Sequence, residues 1–426
     1  MAAITERGAV RRLHDRFGFG PRQGDLDRGF AETLTGLLAP GADAGPPPPQ
    51  LGPPPERPGK KDEAAKKQAA AQLKEQATQA VLWWLDRMVT TEHASAERLT
   101  WFWHGHFATS EQKVRSPRLM LAQNQTQRAL GMGSFTALAR AMIVDPALLL
   151  WLDGNKNKAG SPNENLAREF MELFTLGVGH YTEDDVREAA RALTGWSADR
   201  DATTAKLVAK RHDTAPKRIL GRDGDFTAQS FVDLVLGRPE SAPFVLGRIW
   251  FRLVSSSPPP ADVLNRLVAA YGANRDITAV LKAIAAEPAF RDPASALVKQ
   301  PVEWLAGLLR ALGVRPGSLD GKELFAGLRG MGQVPFEPPS VGGWAAGGAW
   351  LTTSAGAARL RLARHVAAHA DPGAVAGARD RVAAVGDLLG VDGWSERTKN
   401  ALAGVAGTVP DLIAVAACAP EYAVSG

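Results

Sequence analysis

Cysteine is almost missing from this chain of 426 residues: Cys418 stands alone. A single thiol excludes an internal disulfide framework and any cysteine-rich zinc site. Long apolar runs are missing too. None reaches about 18 residues, so no transmembrane helix is expected. The N-terminal stretch MAAITERGAVRRLHDRFGFG carries arginines but no apolar core, so it does not read as a secretory signal. A cytoplasmic location follows by default, although a processed N-terminus would leave no trace here. Charge of one sign is also scarce. The net charge is +5, and six basic against two acidic residues between Arg57 and Lys74 account for +4 of it. The remainder is near neutral, which argues against a general nucleic-acid-binding surface. No repeat of fixed period is present. Length alone allows two or three domains, while the continuous helical patterning predicts a single large helical domain over residues 1–426.

The patterning is that of an all-α, bundle-like fold with at most a small β-hairpin near residues 205–220. Residues 40–58, with PPPP and PPP runs, read as an extended loop or linker. A long helix is expected from about Lys61 to Thr90. Its basic start at 61–75 is a solvated face, and it turns apolar at Val81-Leu82-Trp83-Trp84-Leu85. Lys206–Lys210 and Arg218–Leu220 are expected to pair as a hairpin around His212 and Asp213. The loop from Met331 to Trp344, rich in Pro and Gly, reads as fixed against the bundle. His365 and His369 lie four apart, but no Glu comes directly after the first, so this is not the HExxH metalloprotease pattern.

Polar density is highest from Ser161 to Trp196. Ser161-Pro162-Asn163-Glu164 has the form of a capped helix start. Asn165, Arg168, Glu169 and Glu172 then fall at i, i+3, i+4 and i+7 and share a face. Gly177 and Gly179 stop this helix, and Thr182 with Asp185 caps the next. The face is either a solvated surface of weak ion pairs or a carboxylate-bearing site inside a bundle. The segment WFWHGHF supplies His104 and His106. In a strand the two imidazoles share a face and can ligate one metal; in a helix they diverge by about 200°. Gly105 leaves that geometry open.

The segments WFWHGHF, PNENLAREFMELFTLGVGHYTEDDVREAARALTGW, HDTAPKRILG and MGQVPFEPPSVGGW, in this order, closely resemble a large bacterial family, domain of unknown function number eighteen-hundred. The resemblance runs from RLHDRFGFG to PEYAVSG. It implies a largely α-helical fold and no agreed activity. Many members look exported and are encoded beside a second uncharacterised family; this sequence departs from them in lacking an export signal. The positions that match the motifs are His104, His106, Asn163, Glu164, Arg168, Glu169, Glu172, Arg191, His212, Asp213, Lys217 and Trp344.

Two functional expectations arise. In the first, His104, His106, Glu169 and Glu172 hold a divalent metal. Glu169, Glu172, Arg168, His212 and Asp213 carry a hydrolytic or oxidative reaction, and Asn163, Glu164, Arg191, Lys217 and Trp344 bind. In the second, the same residues form a buried structural network in a helical binding or assembly protein. The Pro-rich tract and the basic helix then meet a partner protein from a neighbouring gene.

Overall fold

In a computed structural model the residues described are all but 1–3, 42–44, 57–58, 60, 372 and 426. Arg57, Pro58 and Lys60, counted above in the basic segment and the Pro-rich tract, lie outside them. Among the described residues there are twenty-two α-helices and three two-stranded antiparallel ribbons. Eight helices position the site: α1 (Glu6–Phe17), α2 (Glu63–Thr90), α3 (Ala94–His106), α4 (Pro117–Leu130), α5 (Asn165–Glu169), α6 (Glu183–Ala192), α7 (Ser241–Leu253) and α8 (Pro301–Leu312). No helix among the described residues is long and apolar enough to cross a membrane.

Their buried side chains fall into two hydrophobic clusters. One gathers Val10, Leu13 and Phe17 of α1 with Phe102, Trp103, Phe107, Phe170, Phe174 and Leu253. The other gathers Trp84 of α2 with Trp101, Trp304, Phe336 and Trp344. Helix α3 feeds both, because neighbouring residues of a helix point about 100° apart. Trp101 goes to one side, Phe102 and Trp103 to the other.

Helix α2 starts where Asp62 accepts from the Ala65 amide. Its first turns are largely exposed; from Ala80 to Val89 most residues are buried. The described part of the Pro-rich tract is no free spacer. It runs along α2, where Trp83 Nε1 donates to Pro46 O at 3.0 Å and Gln76 Nε2 to Gly52 O at 3.1 Å. Proline-rich backbone keeps its carbonyls unpaired, and these side chains use them. Deeper in, the Glu97 carboxylate of α3 accepts from Trp84 Nε1 at 2.5 Å, Arg87 Nε at 3.0 Å and Arg128 of α4 at 2.5 and 2.9 Å. This network ties α2, α3 and α4 together.

Three expectations need correction. Ser161 does not cap the helix after it. Helix α5 begins only at Asn165, because Asn157 Oδ1 accepts from the Asn163 amide and Asn163 Oδ1 from the Asn165 amide. Asn157 takes the Asn163 amide that a Ser161 cap would have used, and Asn163 closes an Asx turn onto Asn165. The second correction concerns the turn after Glu169. The helix continues as a π-helix over Phe170–Thr175, with Leu176 N bonding Met171 O at 2.8 Å. The third is the hairpin. Lys206–Lys210 does not pair with Arg218–Leu220. Trp196–Asp199 pairs with Thr204–Leu207, and Lys217–Ile219 with Arg222–Gly224. Each turn closes locally: Asp199 Oδ1 takes the Asp201 and Ala202 amides, and Leu220 and Gly221 adopt positive φ. The remaining ribbon pairs Leu297–Val298 with Val424–Ser425. Thr182 and Asp185 do form the reciprocal cap that opens α6.

Candidate anion-binding cleft

The two histidines of WFWHGHF sit on helix α3 and are divided between the two hydrophobic clusters. His104 lies among Trp84, Trp101, Phe336 and Trp344. Its Nε2 accepts from the Phe336 amide at 3.1 Å, which places its proton on Nδ1. His106 lies among Phe102, Trp103, Phe107 and Phe174. Its Nε2 donates to Phe174 O at 2.9 Å, which leaves Nδ1 bare, buried and without a partner. Burial pushes both imidazoles down to about 3, so both are neutral. Nearby Arg248 adds to the shift at His106.

The expected metal centre does not assemble. Among the described residues no three His, Cys, Asp or Glu side chains are arranged to hold one metal ion. The reason is the helical geometry of His104-Gly105-His106, which sends the rings to opposite sides. Glu169 and Glu172 lie elsewhere. Glu172 accepts from the Tyr181 hydroxyl at 2.6 Å. The Glu169 carboxyl is raised by partial burial and by Glu172, and Arg168 opposes both.

The other motif residues form ion pairs and turns around α5, α6 and the second ribbon. Arg168 bridges Glu164 at 3.2 Å and Glu183 at 2.6 Å. Arg191 bridges Glu188 at 2.7 Å and Asp213 at 2.8 Å, which holds the Asp213 carboxyl low. His212 Nδ1 donates to Thr194 O at 2.9 Å. Lys217, buried, donates to Asp213 O and Ala215 O at 2.7 and 2.8 Å. Asn163 serves the start of α5. Each has a local structural partner.

Trp344 belongs elsewhere. The loop before it is pinned to the end of α3, by His104 at Phe336 and by the Glu111 amide, which donates to Phe336 O at 2.9 Å. Gly343 has φ +78°, and a Cβ there would lie 2.3 Å from Gly105 O. The second glycine of GGW is thus required by both torsion and close approach. This seats Trp344 against Trp101, with ring centroids 4.9 Å apart.

Trp344, Trp101, Phe102, Gly105 and His106 then form one wall of a narrow cleft, open to solvent, with about 20 Å³ of free space, room for about one water. Arg98, Arg248, Arg252, Leu253, Gln300 and Glu303 form the rest. A neighbouring lobe with about 30 Å³ of free space shares Arg98, Arg252, Gln300 and Glu303 and adds Asp15, Arg16 and Lys299. Glu303 is fixed twice: one oxygen takes the Gln300 amide at 3.1 Å in the cap that opens α8, the other meets Arg98 at 2.6 Å. Lys299 pairs with Asp15 at 2.9 Å, and burial pushes its amine down to about 8. Arg16 is spent on carbonyls of Leu253, Val254, Ser295 and Ser425.

Arg248 and Arg252 are different. Among the described residues Arg252 hydrogen-bonds only the carbonyls of Trp344 and Ala345, at 2.8 and 3.1 Å. Arg248, partly buried, has no hydrogen bond or ion pair among the described residues. Burial lowers both guanidinium pKa values, and the two repel one another. Trp344 Nε1 is buried without a hydrogen-bond partner among the described residues as well. Of the residues singled out from sequence, the cleft brings together His106 and Trp344 only. Arg98, Arg248, Arg252, Gln300 and Glu303 were missed. One signal was available: two arginines four apart within SAPFVLGRIWFRL, on a helix otherwise apolar.

Fold and cleft together define a helical protein with a cationic crevice walled by aromatic rings. Residues 12–424 match the family described as Protein of unknown function (DUF1800), and the chain belongs to it. No curated protein and no solved structure matches the chain significantly.

Proposed function

We propose that this chain is an anion-binding protein and that the cleft between α3, α7, the start of α8 and the Trp344 loop is its binding site. One observation carries the reading. Among the described residues Arg248 is held partly buried beside a second arginine with no carboxylate and no hydrogen-bond acceptor of its own. A partly desolvated, unpaired cation carries a cost, and an anionic ligand is what would offset it. Arginine's planar fork suits carboxylates and phosphates. The metal-dependent reading on His104, His106, Glu169 and Glu172 has no converging donor set behind it, so no step is routed through a metal. Arg168 and Lys217, expected in the reaction and in binding, already have protein partners.

Calorimetric titration at low ionic strength with acetate, sulfate and phosphate tests the reading. One saturable site is expected, weakened tenfold or more in Arg248→Gln and largely retained in Arg248→Lys, since charge-assisted hydrogen bonds contribute about 1.5–3 kcal/mol each. Unchanged affinity in a folded Arg248→Gln, or no anion bound at all, overturns it.

A further inference from the structure

We infer that a separate pocket, on another face of helix α3, binds a long-chain aliphatic carboxylate. The inference does not depend on the Arg248 cleft. Ala96 and Glu97 border this pocket, whereas Arg98, Phe102 and Gly105 border the cleft. The pocket opens between the start of α3, the end of α4, the end of the helix Phe30–Leu37 and the start of the helix Ile277–Ala286. The Thr278 amide and hydroxyl both donate to Met132 O, at 3.2 and 2.7 Å, and hold the last of these against the turn after α4. About 640 Å³ of free space lies between them, a volume usual for small-molecule sites.

Much of the wall is aliphatic: Leu37, Leu38, Pro40, Ala96, Ala129 and Met132 line it, and among the described residues no Phe, Tyr or Trp does. Such a wall offers a planar ligand nothing to stack on and suits a flexible chain. At about 30 Å³ for each water-sized group, the space takes a chain of up to about twenty heavy atoms. The polar groups select the head. Glu97, the one acid among the described lining residues, is buried and spent, because its oxygens take Trp84, Arg87 and Arg128. Arg128 uses three of its five N–H groups, two on Glu97 and one on Gln125 Oε1 at 2.7 Å. Lys282, exposed at the rim, has no hydrogen bond or ion pair among the described residues. The described lining thus keeps donors to spare and no free carboxylate, so the ligand brings the acceptor. A carboxylate does this with one charge, while its chain covers the wall.

Calorimetry on the full chain with octanoate, dodecanoate and dodecyltrimethylammonium, each kept below its micelle concentration, tests this. One saturable dodecanoate site is expected. Octanoate should bind at least tenfold more weakly, since each buried methylene contributes up to about fourfold in affinity. Dodecyltrimethylammonium has the same chain and the opposite charge, and should also bind at least tenfold more weakly. Lys282→Glu should narrow the gap between the two heads. Ala129→Trp, at an exposed position of the wall, should block dodecanoate. Equal binding of the two heads, no dependence on chain length, a gap unaltered by Lys282→Glu, or dodecanoate binding that persists in a folded Ala129→Trp protein overturns the inference.

Discussion

An unpaired arginine kept for a ligand should weigh on the protein when the ligand is gone. Arg248→Met tests this, because methionine keeps much of the apolar stem and removes the charge. Burial first, then Arg248, push the Arg252 guanidinium well below its ordinary value, to about 10. At about 1.4 kcal/mol per pH unit, that gap sets a ceiling of about 3 kcal/mol on the cost of carrying the Arg252 charge. The sign is fixed: a cation with a depressed folded-state pKa costs stability at every pH below that pKa, so the whole cost is present at neutral pH. Arg252 is partly exposed, and solvent screening reduces the figure. Arg248 supplies only part of it and adds its own desolvation. The ligand-free Arg248→Met protein should therefore be more stable than wild type, by about 1–2 kcal/mol. Urea unfolding at pH 7.5 in an anion-poor buffer reads this as a higher midpoint at unchanged slope. Adding phosphate should then raise the wild-type midpoint and leave the variant where it was. A loss of 1 kcal/mol or more in the ligand-free variant refutes the reasoning, since Arg248 would then be an internal tie and not an open receptor.

Two further outcomes concern buried groups away from the cleft. Glu97→Ala removes the acceptor shared by Trp84, Arg87 and Arg128 and leaves two buried cations facing each other, which should cost about 3–5 kcal/mol in urea unfolding; a cost under 1 kcal/mol would mean that the network is not needed. Asp145, buried at the start of the Pro146–Trp151 helix, has its carboxyl pushed up to about 7 by burial. A raised carboxyl pKa gives stability that is complete below about 4 and lost as pH rises through 7. The stability difference between wild type and Asp145→Asn should thus shrink across that window, by up to about 1.4 kcal/mol per pH unit, and a flat difference would contradict it.

The helical fold was legible because periodicity is a local signal. The apolar second half of α2 and the cap at Thr182 needed no tertiary knowledge. Boundaries set by side chains from other segments were not legible: Asn157 displaces the start of α5 although it lies eight residues upstream. The cleft was legible only in part. Trp344 and His106, singled out by their motifs, line one ring-walled place. The acidic face of the hairpin could not be resolved from its spacing. Glu164, Arg168 and Glu183 at the surface, like Arg191, Glu188 and Asp213, complete each other's charge, and a sequence cannot say which acid meets which base. The arginines of the cleft were passed over for the converse reason. Nothing in RIWFR announces that no acid will come to meet it.

Why the crevice lies where it does is explained by the two hydrophobic clusters. Its walls come from both: Phe102 and Leu253 belong to one, Trp101 and Trp344 to the other. In the packed interior the guanidiniums of Arg16 and Arg310 are met by backbone carbonyls. A seam between two packed regions can leave one unmet, because each region closes on itself and leaves a gap that either can border. Helix α3 runs along that seam. Its His-Gly-His end turns one imidazole into each cluster, and the missing side chain of Gly343, whose Cβ would lie 2.3 Å from Gly105 O, lets the Trp344 loop close over the gap. The histidines hold the walls, one by way of Phe336 and one by way of Phe174. The arginines of α7 are left to face whatever enters. The most conspicuous polar residues are spent on architecture, while Arg248 keeps an unmet charge at the mouth of the cleft, and an unmet charge open to solvent is what a ligand can exploit.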